Sequence, residues 1–336
     1  MDKPTGAMRV LDAQEKFSDY PFADELTKHL ILEQSRHHEG FVRDFLQTMD
    51  RLYPGSGFQH LGFAFFNTDV PNAVTIHVER DGSYAVGLDY GSVSLFSFTF
   101  PTLLYSRLYN LENLEWVKAL LDIIQIQLLD DHEPSRQRSM ERLARQHEIE
   151  APASRALEMA FRFLVAHELG HIQLRHFENR AATRLSSIGT GTDQDLVSTF
   201  DHDSEFAADT WAAEALRKVA SDNPLEQTLA CYVPGLIFGI QSLARAIYVP
   251  RTPLARHVMN SHPDPWERAQ RLLPPNQQAE RSPDPVIRAI SDLPGLIAQE
   301  RENPAFKAAA AHVQRQILSG HHLLVRQHRP WWKFWG

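Results

Sequence analysis

The stretch that decides the reading is Ala166-His167-Glu168-Leu169-Gly170-His171-Ile172. It follows Leu157, Ala160, Phe161, Leu164 and Val165, apolar residues at spacings of three and four that predict an amphipathic helix over about 154–177. On a helix, positions i and i+4 lie one above the other, so His167 and His171 present two imidazoles to one point. Two imidazoles on a rigid face are the beginning of a zinc site, and Glu168 stands beside the first as a base that could take a proton from water. Composition alone produces such a pattern roughly one time in twenty, so the remaining ligands must be sought elsewhere.

The rest of the composition narrows the classes of function. The chain has 336 residues, 43% hydrophobic and 23% charged, which is ordinary for a soluble protein with a sizeable core. A net charge of −8 offers no overall basic excess to neutralise phosphates, so nucleic-acid binding is not expected. Cys231 is the single cysteine and can form no intramolecular disulfide, and Met1 to Val10 lacks the apolar run of a secretory signal. These features predict a cytoplasmic protein. The apolar run from Tyr232 to Val249 is interrupted by Pro234, Gln241, Ser242 and Arg245, and reads as a buried helix rather than a membrane span.

Along the chain, a helical pattern from about Ala23 to Leu52 stops at Tyr53-Pro54-Gly55, giving a helical N-terminal region over 1–58. Residues 60–100 turn to strand texture: Leu61–Phe66, Ala73–Val78, Tyr84–Leu88 and Val93–Phe100, with a hairpin turn at Arg80-Asp81-Gly82-Ser83. Pro101 to Asp131 reads as helix, and Glu133 to Ala153 as an exposed helix or connector. The Ser/Thr/Gly-rich segment 185–199 reads as a loop. A catalytic domain is placed over 59–273, and a Pro-rich helical C-terminal region over 274–336 with a last helix from Ala305 to Arg326. The final residues include Trp331, Trp332, Phe334 and Trp335, a cluster suited to docking on protein or on a membrane surface, protein being preferred.

A third ligand is predicted on the helix over about 204–218, for which Asp203 or Ser204 can provide the cap. Glu205 and Asp209 again stand four apart, so Glu205 can complete a His₂Glu set while Asp209 accepts the outer ring N–H of a ligating histidine. His202, Asp203 and His176 compete for the third position. His202 is the main rival, and His176, five residues past His171, is expected to point away from the shared face.

His167-Glu168-x-x-His171, Glu205-Phe206-Ala207-Ala208-Asp209 and Ser261-His262-Pro263-Asp264-Pro265-Trp266-Glu267-Arg268 together resemble the three-part signature of gluzincin metallopeptidases, in particular the HtpX-type and CAAX-prenyl-protease-type family. The segments stand in the family's order and span about a third of the chain. The resemblance implies that His262 helps to bind the transition-state oxyanion and that Arg268 lies near the site. Members of that family usually carry membrane spans or a secretion signal, which this sequence does not show. A weaker likeness, confined to motifs, is to the Lit-type phage-exclusion peptidase.

The expectation is therefore an α+β, zincin-like core, a small mixed sheet with active-site helices, flanked by helical regions at both ends. It would act as a zinc endopeptidase on a protein or peptide substrate. His167, His171 and Glu205 would bind Zn²⁺, Glu168 would be the general base, and Asp209 and Arg268 would support the site. The alternative is a catalytically idle protein that uses the same fold to bind a partner.

Overall fold

A 28-residue helix, α1 (Glu25–Leu52), leads the described part of the computed structural model, where the apolar spacing predicted one. The structure describes residues 25–66, 73–78, 82–109, 147–178, 183–185, 197–199, 201–246, 262–274 and 282–318. Val42, Phe45, Leu46 and Met49 are buried on one side of α1, repeating at three and four residues as a core-facing stripe must.

Three strands form the body of one sheet: β1 (Gly62–Phe66), β2 (Ala73–Val78) and β3 (Ser83–Asp89). Central β3 runs parallel to β1 and antiparallel to β2, with Ala85 facing Gly62 on one side and Ile76 on the other. The sheet is extended by two three-residue strands, β4 (Thr183–Leu185) and β5 (Val197–Thr199), in the order β1-β3-β2-β5-β4. Ile76, Ala85, Val86 and Leu88 are fully buried. Each larger aliphatic chain among them contributes about 1.5–3 kcal/mol of transfer free energy. Val78 pairs with Ser83 across the predicted hairpin, while Arg80 and Asp81 lie outside the described residues.

The fourth predicted strand is instead a helix, α2 (Tyr90–Leu108). The β-branched and aromatic texture of Val93–Phe100 suggested extended backbone. The buried positions Ser92, Leu95, Phe96, Thr99, Phe100 and Leu103 instead recur at helical intervals, and burial overrides propensity. Pro101 stands inside this helix, where its missing N–H interrupts the backbone ladder. Of the predicted helix from Pro101 to Asp131, residues 110–131 lie outside the described part.

The helix bearing the histidines, α3 (His147–Gln173), starts earlier than predicted and takes in Pro152. It is followed by α4 (His202–Val219), α5 (Pro224–Arg245), α6 (Pro265–Leu272), α7 (Pro285–Glu302) and α8 (Pro304–Leu318). Helix α5 is the predicted apolar helix, and no helix among the described residues is long and apolar enough to cross a membrane. Helix α8 is described as far as Leu318; residues 319–326 of the predicted last helix and the aromatic cluster at 331–335 lie outside the described residues. Residues 186–196 of the predicted loop lie outside them as well; its ends carry β4 and β5.

The fold is thus mixed α and β and mostly helical. The chain divides into two compact units. Among described residues, the first holds α1, the sheet, α3 from Phe161 onward, α4 and the pair His262-Pro263. Within it the Trp211 ring of α4 lies 4.9 Å from Tyr53 and edge-on to Phe58. The second holds α2 from Val93, the earlier part of α3, and α5 to α8. There α6 and α7 pack on α5, with the Arg268 guanidinium 3.9 Å from the centre of the Phe238 ring.

Candidate metal centre

All the side chains of the centre belong to the first unit, and helices α3 and α4 supply most of them. Helix α3 is buried continuously from Phe163 to His171, so both histidines are almost wholly withdrawn from solvent. Helix α4 starts at His202 because Asp201 caps it: the Asp201 carboxylate accepts the Ser204 N–H at 2.8 Å. Asp203 and Ser204, the predicted caps, lie inside the helix instead. That start phases the helix so that Glu205, Ala208, Asp209, Ala212 and Leu216 form its buried stripe. His202 and Asp203 are exposed on its first turn, so of the candidates on this helix it is Glu205 that enters the interior.

Gly170 and Ala208 let the two helices meet. A β-carbon at Gly170 would lie 3.2 Å from the Ala208 Cα and carbonyl oxygen and 3.3 Å from the Trp211 ring. The approach brings Glu205 between the imidazoles. Its Oε2 lies 3.5 Å from His167 Nε2 and its Oε1 3.6 Å from His171 Nε2, and the two Nε2 atoms are 3.1 Å apart. Four ligands held tetrahedrally at about 2.0–2.1 Å from an ion stand about 3.3 Å from one another. The two Nε2 atoms stand near that spacing, one ligand atom from each of the three residues lies within 4.8 Å of the others, and one carboxylate with two imidazoles is a donor set that zinc accepts. The buried group His167, His171 and Glu205 can therefore hold a metal ion.

Each histidine's outer nitrogen faces a buried side chain. His167 Nδ1 is 2.9 Å from Oδ1 of the buried Asp209, at ion-pair distance. Burial opposes charge on His167, but hydrogen bonds and charge from Asp209 and Glu205 together outweigh it and raise the pKa from 6.5 to about 10. His171 Nδ1 meets not a carboxylate but His176 Nδ1, at 2.8 Å. Burial lowers the pKa of His176, against the opposing pull of Asp201 and Glu205.

His176 was expected to point away, and the turn after α3 reverses it. The helix ends at Gln173, Arg175 adopts the left-handed conformation (φ 56°), the His176 N–H donates to the His171 carbonyl and the Arg175 N–H to the Ile172 carbonyl. This pair of reverse bonds is a Schellman motif, and it folds the chain back over the last turn. A regular helix would have carried residue 176 about 140° around from His171.

Glu168 is buried beside the histidines, and its Oε2 accepts a hydrogen bond from the Thr75 hydroxyl at 2.7 Å. The same hydroxyl lies 3.2 Å from the Glu168 carbonyl oxygen. Thr75 sits on β2 and is itself buried, so the sheet fixes the carboxylate's orientation. Sequence reasoning did not find Thr75. His262 Nε2 approaches Glu205 Oε1 at 3.7 Å and its side chain keeps 24% exposure, the most open of these groups. Ser261 lies outside the described residues, and Arg268 belongs to the second unit, against Phe238.

No protein-family profile, no curated protein and no solved structure matches the chain.

Proposed function

We propose that the protein is a zinc-dependent endopeptidase of the gluzincin type, with a zincin-like arrangement of sheet and helices. The observation that carries the reading is the buried cluster of His167, His171 and Glu205, whose ligand atoms all lie within 4.8 Å of one another, next in sequence to a buried carboxylate at Glu168. Zinc bound there would supply Lewis acidity, polarising a carbonyl and making a water easier to deprotonate. The three protein ligands leave a fourth position for substrate or water, as catalytic rather than structural zinc sites do.

The protein's own groups then divide the work. Glu168 accepts the proton of the attacking water and returns it to the leaving amine, its carboxylate oriented by the Thr75 bond to Oε2. Asp209, its carboxylate 2.9 Å from Nδ1 of His167, favours the ring orientation that directs Nε2 inward. His262, partly exposed beside Glu205, is the donor available to the oxygen that gains charge in the transition state. The substrate class is a protein or peptide, and the setting is cytoplasmic.

The test is metal content and cleavage together. Purified protein should carry about one zinc per chain. Glu168→Gln should keep that metal while cleavage of a peptide library falls by at least about a thousandfold, or ~4 kcal/mol in barrier. Equal cleavage by the variant would end the hydrolytic mechanism.

A further inference from the structure

We propose that His176 is a positioning residue for the metal centre: its Nδ1 takes the hydrogen bond of His171 Nδ1–H and so commits His171 to bind metal through Nε2. The inference rests on the metal site read above but concerns a residue to which neither the helix motif nor the His₂Glu set assigns a part.

The argument begins with proton bookkeeping. Two Nδ1 atoms 2.8 Å apart must share one proton, because two lone pairs or two N–H groups facing each other at that distance repel. Either ring could own the proton. The Nε2 atom of His171 lies 3.1 Å from His167 Nε2 and 3.6 Å from Glu205 Oε1, so it is the atom of that ring aimed at the shared centre. A neutral imidazole that binds metal through Nε2 carries its proton on Nδ1. His171 is then the donor of the pair and His176 the acceptor.

The geometry is built rather than incidental. His176 is 7% exposed, and its ring is held against His171 at 69° between planes by a turn that places the non-glycine Arg175 in left-handed backbone. The two ligating histidines are therefore supported by unlike partners. Asp209 is anionic and strengthens His167 as a donor electrostatically, whereas His176 is a neutral ring acceptor that fixes tautomer and orientation at less cost to the proton. An acceptor of this kind can be removed without removing a charge, so its contribution is separable from that of Asp209.

The experiment compares His176→Phe, which keeps ring volume and loses the acceptor, with His176→Asn, whose Oδ1 can occupy the place of Nδ1. Zinc affinity is measured on the full chain by competition with a chromophoric chelator, and thermal melts of the metal-free proteins report folding. The expected result is a Kd for zinc about 10–100 times weaker in His176→Phe, and restored to within about threefold of wild type in His176→Asn. Nitrogen-15 shifts of the imidazoles in zinc-loaded wild type give a readout that needs no variant: His171 should carry its proton on Nδ1. Unchanged affinity in His176→Phe, failure of Asn to restore it, or a His171 proton on Nε2 would each overturn the assignment while leaving the metal site intact. Absence of zinc binding by wild type would overturn both this inference and the proposed function.

Discussion

The Ala208 backbone lies 3.2 Å from the point where a β-carbon on Gly170 would stand. That contact sets how near Glu205 comes to the two imidazoles, because Ala208 and Glu205 share one face of α4. Glycine costs a helix interior about 1 kcal/mol relative to alanine, so Gly170→Ala should stabilise α3 as an isolated helix. In the protein the added methyl must displace α4 by a few tenths of an ångström. The expected outcome is a zinc Kd at least about tenfold weaker, ~1.4 kcal/mol, and a lower melting temperature. Equal affinity would show that the helices have room to spare.

Removing the Thr75 hydroxyl should act on the chemistry and not on the metal. Thr75→Val keeps shape but leaves a buried carboxylate oxygen without its 2.7 Å donor. Loss of such a bond to a charged group costs about 1.5–3 kcal/mol. We expect zinc content near wild type, kcat lowered about tenfold or more with little change in KM, and recovery in Thr75→Ser. A variant that loses metal in proportion to activity would assign Thr75 to scaffold alone.

Zinc binding should release a proton. With its pKa raised to about 10, His167 is protonated at neutral pH in the metal-free protein, and ligation requires the neutral ring. Calorimetric titrations in buffers of different ionisation enthalpy should therefore show about one proton released per zinc at pH 7.5, and fewer in Asp209→Asn. The sign is fixed by the direction of the shift. Affinity falls as pH falls below that value. In the metal-free protein, the stability gained from charged His167 is fully present below 6.5, its ordinary value, and lost as pH rises through about 10. Proton release near zero in wild type would contradict the shift.

Much of the centre was legible because helical spacing is rigid. The intervals His167 to His171 and Glu205 to Asp209 each fix a face without reference to the rest of the chain. The three principal strands were visible as short apolar runs between turn residues. The helix at 90–108 was misread in its first half because aromatic and β-branched residues carry strand propensity, while the helical recurrence of Leu95, Phe96, Thr99 and Leu103 emerges only with burial. Thr75 was hidden because a threonine in a strand is unremarkable and its partner lies 93 residues away. His176 was hidden because the reversal that brings it back is usually marked by glycine, and here the position is Arg175.

That arginine also offers a place to strengthen the molecule. Among the described residues it alone, other than glycines, has positive φ. An L-residue in left-handed backbone is less favourable than glycine by about 1 kcal/mol, and the ion pair of the exposed Arg175 side chain with Glu178 is a long 3.7 Å. Arg175→Gly should therefore raise the melting temperature by a few degrees with zinc affinity unchanged, reversing the usual direction of a glycine substitution. The turn that turns His176 inward would then be an adjustable hinge pin: its intrinsic ease can be tuned from the solvent side without touching a single metal-facing atom.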